Sequence, residues 1–139
     1  MKIYTSYFAN GKRLSAANVL MVGVALFPPK WFFGQSLKQL APSYSIFNEK
    51  PFNAERYTQR YRGEVLKNID PYWVIEVLER ISGGRDVALC FYEKPGDFCH
   101  RHILAQWLME STGVEVTEFG EDEKKEPEQP QPMQLNLFD

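Results

Sequence analysis

Polar and apolar positions alternate along residues 2–8, with Ile3, Tyr4, Thr5, Tyr7 and Phe8 supplying β-favouring side chains, and this predicts a strand. A turn is expected at Asn10-Gly11. Residues 19–26 are almost wholly apolar, as in a central strand covered on both faces, and Pro28-Pro29 stops the run. Residues 30–52 follow no period but carry Trp31, Phe32, Phe33, Tyr44, Phe47 and Phe52. A connection this long in a small domain is functional or packs as short elements of its own. Helical spacing returns after Asn53, a capping residue, with Tyr57, Tyr61 and Val65 on one face through about residue 67. Asp70-Pro71 opens a second helix, Val74, Val77, Leu78 and Ile81 form its apolar stripe, and Gly83-Gly84 end it. Residues 86–92 read as another buried strand, and Pro95-Gly96-Asp97 turns the chain into a helix over about 98–111. Residues 114–119 alternate again, as an edge strand would. Strands separated by helices predict an α/β fold: a mainly parallel sheet flanked by helices, in a single compact domain over residues 1–119.

Composition adds a division. The 139 residues, 44% of them hydrophobic, suffice for one domain with a substantial core. The net charge of −2 combines a +2 over residues 1–119 with a −4 over residues 120–139. The domain is too weakly basic for charge alone to demand nucleic-acid contact, though it permits it. Residues 120–133 are acidic and rich in Pro and Gln, and predict a disordered linker. The first residues read directly as strand, without signal-peptide architecture. The apolar run at 19–27 falls well short of the ~20 residues that span a bilayer, so no membrane is expected. With Cys90 and Cys99 as its two cysteines, the chain reads as cytoplasmic with reduced thiols.

Beyond the linker, residues 134–139 carry Leu135, Leu137 and Phe138. A disordered tail has no core in which to bury such side chains, so an apolar cluster on a solvated leash suggests a peptide meant for a partner's pocket. The alternative is a terminal element docking back on its own domain. The run Gln134-Leu135-Asn136-Leu137-Phe138 resembles the bacterial sliding-clamp-binding peptide. That resemblance implies a bacterial or phage protein whose partner is the DNA sliding clamp. Gln134 would enter a polar subsite, and Leu137 and Phe138 a hydrophobic one.

The segment from Leu89 to Arg101 is a hydrophobic strand, a tight turn and a helix whose first turn carries Cys99, His100 and Arg101. Ligands of open α/β sheets bind at the carboxyl ends of strands, where this turn must lie. Free amides and the helix dipole welcome an anion there, and Arg101 adds a planar fork suited to phosphate or carboxylate. The same field would favour a thiolate at Cys99. Glu93 followed by Cys99-His100-Arg101 resembles the domain of unknown function 488 family, and the likeness extends to Pro28-Pro29-Lys30-Trp31 and the helix around Tyr57–Arg62. It implies a compact α/β fold with these residues around one pocket, and supplies no reaction.

Each of these residues also has a structural reading. His100 shares a face with Leu104, Trp107 and Leu108, as a core histidine would; Cys99 is small enough to pack at a helix start; Arg101 can brace the turn by pairing with Glu93 or Asp97. His100 and His102 point about 200° apart on a helix and cannot share a metal, and Cys90, Cys99 and His102 lack the usual spacing. No metal and no cofactor is expected. Aromatic side chains interleaved with Arg13, Lys30, Lys38, Lys50, Arg56, Arg60 and Arg62 are the materials of a single-strand stacking platform, or of a core with a charged rim. Lys30 and Trp31, in the long connection, are expected to border the strand ends.

The expected function is a DNA-metabolism accessory protein recruited by the clamp to replication or repair sites. Glu93, Cys99, His100 and Arg101 are its catalytic candidates, and Lys30, Trp31, Lys94 and Arg101 its contacts to DNA or a nucleotide. Gln134, Leu135, Leu137 and Phe138 are its contacts to the clamp. A non-catalytic adaptor and a small-molecule enzyme of nucleotide metabolism remain as alternatives.

Overall fold

The computed structural model describes residues 1–93 and 100–121. The turn at Pro95-Gly96-Asp97, with Lys94 and Cys99, and the whole of 122–139, including the linker and the peptide, lie outside the described residues.

β3 (Val87–Phe91) is buried at every position, as its unbroken apolar sequence requires of a strand with neighbours on both sides and layers on both faces. It pairs with β1 (Ile3–Tyr7) on one side and β2 (Leu20–Gly23) on the other, and β1 pairs with β4 (Val116–Glu118) at the sheet edge. The order is β2-β3-β1-β4, and all three pairings are parallel. The expected α/β sheet is therefore present, and the strand at 114–119 takes the edge position that its alternation indicated.

Side chains of period two divide the core. Ile3, Val22, Val87, Leu89 and Phe91 face one layer, and Ala88 and Cys90 the other. The first layer holds α3 (Ala54–Arg60), α4 (Pro71–Ser82) and α5 (His100–Thr112), which contribute Tyr57, Val74, Leu78, Leu104 and Leu108. The second holds α1 (Gly11–Ala16), whose Leu14 is fully buried beside Phe8. Asn10-Gly11 thus begins a helix where a turn was expected.

Local signals set the helix ends. The Asn53 side chain accepts a hydrogen bond from the Arg56 amide at 2.9 Å, and Asp70 accepts from the Tyr72 amide at 2.9 Å ahead of Pro71. Gly83 ends α4 in the left-handed region, at φ 63°, where a side chain would be strained. Replacing Asp70 by alanine leaves that first-turn donor unmet, and is expected to cost about 1 kcal/mol in chemical denaturation without changing the fold.

The long connection after β2 packs back on the sheet. Gly23 donates to the Gln35 carbonyl and accepts from Leu37, both at 2.8 Å. A Cβ on Gly23 would lie 2.7 Å from the Ser36 hydroxyl oxygen, so this approach needs glycine. The connection then forms α2 (Tyr44–Phe47), capped by Ser43, whose hydroxyl accepts from the Ile46 amide at 3.3 Å. Among the described residues no helix is long and apolar enough to cross a membrane.

Candidate functional site

Because the four strands are parallel, their carboxyl ends share one edge of the sheet, and the polypeptide leaving β2 and β3 there encloses a cavity of about 350 Å³. Residues 24–27 form one wall, the α2 segment with Tyr44, Phe47 and Asn48 forms the facing one, and Tyr92, Glu93 and His100 close the third side. Strand–turn–helix placement accounts for the last group: Glu93 lies just beyond β3, and His100 begins the described part of α5.

His100 is buried, at 6% exposure, edge-on to Phe91 (4.6 Å between ring centroids) and to Tyr61 (5.4 Å). Tyr61 is fixed in turn by its hydroxyl, which donates to the Leu40 carbonyl at 2.5 Å. Burial drives the imidazole pKa down from 6.5 to about 3; the positive charge of Arg101 acts in the same direction, and a hydrogen bond with the Val24 backbone opposes both. His100 is therefore a neutral ring at physiological pH. Its Nε2 has no hydrogen-bond partner among the described residues and is shielded from water.

Arg101 turns the other way. It is fully buried, donating from Nη1 to the Ser6 carbonyl at 3.1 Å and to the Glu118 carboxylate at 3.4 Å, and from Nη2 to the Glu93 carbonyl. Glu118 is itself held by the Thr5 hydroxyl at 2.8 Å. The guanidinium also lies 5.9 Å from the Phe91 ring centre. One side chain thus ties the ends of β1, β3 and β4 together, and it is not part of the cavity lining.

The expected site residues therefore separate. Glu93 and His100 meet at the cavity, and Arg101 sits behind Glu93 as a brace. Trp31 is 58% exposed, packs edge-on against Phe8 and Phe32, and connects to the cavity-lining Tyr92 through Phe8, whose ring is 5.2 Å from that of Tyr92. Lys30 is exposed and outside the lining. Three of the seven residues of the expected basic rim form ion pairs among the described residues: Arg56 with Glu49 at 2.5 Å, Arg60 with Glu64 at 2.8 Å, and Arg62 with Glu110 at 3.4 Å. Cys90 faces the α1 layer, where burial pushes its thiol to about 12, and His102 is exposed. The metal grouping considered from the sequence thus loses two of its members to different surroundings.

Sequence reasoning passed over Phe27, Asn48 and Tyr92 as site residues and named Tyr44 and Phe47 only as aromatic content. For Tyr44, Phe47 and Asn48 the signal was the length and ring density of residues 30–52, a stretch that does not include Phe27 or Tyr92. Chemically, the described lining combines an apolar, aromatic interior with the Glu93 carboxylate and the neutral His100 imidazole, which suits binding of an unsaturated ring and proton transfer at Glu93.

No curated protein and no solved structure matches this chain. The family model DUF488-N3a, described as the active DUF488-N3 subclade, matches residues 8–112, and the chain belongs to that family.

Proposed function

We propose that this is a cytoplasmic DNA-metabolism protein that the sliding clamp recruits to replication or repair sites through residues 134–139. Its α/β domain engages DNA or a nucleotide at the carboxyl ends of the sheet. The observation that carries the recruitment is Gln134-Leu135-Asn136-Leu137-Phe138, an apolar peptide behind an acidic, Pro-rich stretch. The cavity beside Glu93 and His100 supports the domain's part, since open α/β sheets bind ligands at this edge.

Biosensor measurements of the full chain on immobilised clamp test the recruitment. Wild type is expected to bind with an affinity on the order of micromolar, as a linear segment that must order on docking. Gln134→Ala removes the polar anchor and Leu137→Ala with Phe138→Ala the apolar one, so the triple variant is expected to lose binding without a lower melting temperature. Unaltered clamp binding by that variant overturns the recruitment; a lower melting temperature instead marks a tail docked on its own domain.

The family's description as active, together with Glu93 and His100 on one cavity, favours a catalytic form of this reading. Glu93 is then the group that moves a proton, and His100, held neutral, is a hydrogen-bonding partner rather than an acid or base near pH 7. Cys99 is the nucleophile if a covalent step exists. A non-catalytic adaptor predicts clamp binding with no ligand in the cavity, and a small-molecule enzyme predicts turnover of free nucleotides with no clamp binding.

A further inference from the structure

Residues 27–33, which carry the chain away from the carboxyl end of β2, expose more ring surface than the fold requires. Phe27 is 73% exposed, Trp31 58% and Phe33 93%, three large rings within seven residues. The segment is nevertheless a built turn. The Phe32 amide donates to the Pro29 carbonyl at 2.9 Å, and the half-buried Phe32 ring packs 5.2 Å from that of Phe8. A Cβ on Gly34 would lie 2.7 Å from the same ring, so the backbone beyond Phe33 closes on it too. Phe32 thus anchors inward while its neighbours Trp31 and Phe33 remain exposed, and Pro28-Pro29 stiffens the approach. Clustered exposed rings on an ordered segment mark a surface that a partner covers. Charge says which partner. Residues 1–48 contain Lys2, Lys12, Arg13, Lys30 and Lys38 and no aspartate or glutamate; the first acid of the chain is Glu49. Lys30 stands between the rings in sequence, Lys38 follows the bridge of Ser36 to Gly23, and both are exposed. The complement of such a segment is a polyanion that carries flat apolar faces.

We propose that residues 27–33 form a stacking platform for single-stranded DNA, on which Phe27, Trp31 and Phe33 take base faces while Lys30 and Lys38 meet phosphates. The proposal rests on the reading above that the domain engages DNA or a nucleotide. It names the form of DNA, and places the contact on this turn rather than inside the cavity. Bases in a duplex are stacked on one another and offer a protein only their edges and the phosphates, whereas an unpaired strand has ring faces to give. Three exposed rings with lysines among and after them suit several bases and phosphates along one strand better than one free nucleotide. An apolar protein surface would satisfy the rings but leave the acid-free charge of the segment unused. The turn is ordered before it binds, through Phe32 and the two prolines, so little conformational freedom is lost on docking. With few lysines at hand, the platform is weak by itself, on the order of micromolar, and responds modestly to salt.

Fluorescence anisotropy of a labelled oligothymidine of about 20 nucleotides, titrated with the full chain at several salt concentrations, tests this. Wild type is expected to bind the strand about tenfold more tightly than a duplex of equal length. Phe33→Ala and Phe27→Ala, at exposed positions where the melting temperature is expected to hold, each weaken binding about tenfold at every salt concentration through lost stacking. Lys30→Ala instead makes the slope of log affinity against log salt shallower by about 0.7, the value of one phosphate contact on a single strand, and the ring variants leave that slope unchanged. Equal or tighter binding of the duplex, no strand binding at about 100 μM protein, or unchanged affinity in the folded Phe33→Ala variant overturns the proposal. So does a protein that binds no strand but self-associates in sedimentation until Phe33→Ala abolishes it, which makes the turn a contact between copies of the chain. Clamp capture and titration with duplex and mononucleotides on the same preparation separate the levels. If duplex or mononucleotide binds and the ring variants bind it unchanged, this inference alone falls. If no nucleic acid or nucleotide binds, the domain's part of the reading falls with it; if the strand binds without clamp capture, the recruitment falls and the platform stands.

Discussion

Replacing Arg101 by methionine is expected to cost the fold about 3–5 kcal/mol, because it leaves a largely buried carboxylate without its cation. Among the described residues Glu118, at 14% side-chain exposure, then keeps the Thr5 hydroxyl alone, and the Ser6 and Glu93 carbonyls lose a charged donor. Methionine fills much of the same volume, so the loss reads the electrostatic network rather than a void. Urea denaturation followed by far-ultraviolet circular dichroism measures it. Arg101→Lys is expected to fall between the two, since an ammonium cannot serve Ser6, Glu93 and Glu118 with one planar fork. A brace predicts a second effect: Glu93 shifts when its carbonyl is released, so the affinity of any ligand of the cavity falls along with stability. A ligand clamp predicts the reverse pairing, a stable variant that has lost phosphate binding. Glu118→Gln keeps an acceptor facing the guanidinium but removes the Glu118 charge opposite the buried Arg101, and is expected to destabilise in the same sense.

The sequence made the sheet legible because its two informative periods survive folding intact. Residues 19–26 are almost wholly apolar and residues 87–91 are apolar without a break, and the structure buries β3 throughout. Asp70-Pro71 and Gly83 mark α4 by local chemistry that needs no tertiary information. What escaped was set by length or by distance along the chain. α1 is six residues with one buried side chain, Leu14, too short to display a helical period, so Asn10-Gly11 read as a turn. The helix from Ala54 continues as a π-turn over Tyr61–Val65, which inserts a residue into the register. Leu66 consequently reaches the core, where a constant 3.6-residue period had placed Val65. Glu118 lies on another element from Arg101, and nothing local to either residue announces the pair. Adjacent residues of a helix point about 100° apart, which is why His100 and Arg101, consecutive in the motif, serve different sides of the Glu93 backbone. The cavity was legible as a place, at the strand ends, but its aromatic wall depends on how residues 30–52 fold back through Gly23 and Ser36.

Acid is expected to unfold this domain in a way that His100 controls. In the unfolded chain its imidazole takes a proton near pH 6.5, whereas in the folded protein burial defers protonation to about pH 3. Between those values the unfolded state binds the proton and the folded state does not. The contribution is thus fully present above about pH 6.5 and declines as the pH falls, by about 1.4 kcal/mol per pH unit where the difference is complete. The groups around the ring set the size of the effect. Phe91 and Tyr61 exclude water, and Arg101 adds like-charge repulsion. The Val24 backbone favours the charged form, and Glu93 lines the same cavity. His100→Phe keeps an aromatic ring against Phe91 and Tyr61 and removes the titrating group. Denaturation midpoints measured from pH 7 to pH 4 are therefore expected to fall steeply for wild type and distinctly less for His100→Phe, with the two curves diverging below about pH 6.5. Parallel curves would mean that the imidazole is protonated in the folded state after all. That outcome would also make His100 an acid within reach of the cavity, and return to it the proton-moving role assigned above to Glu93.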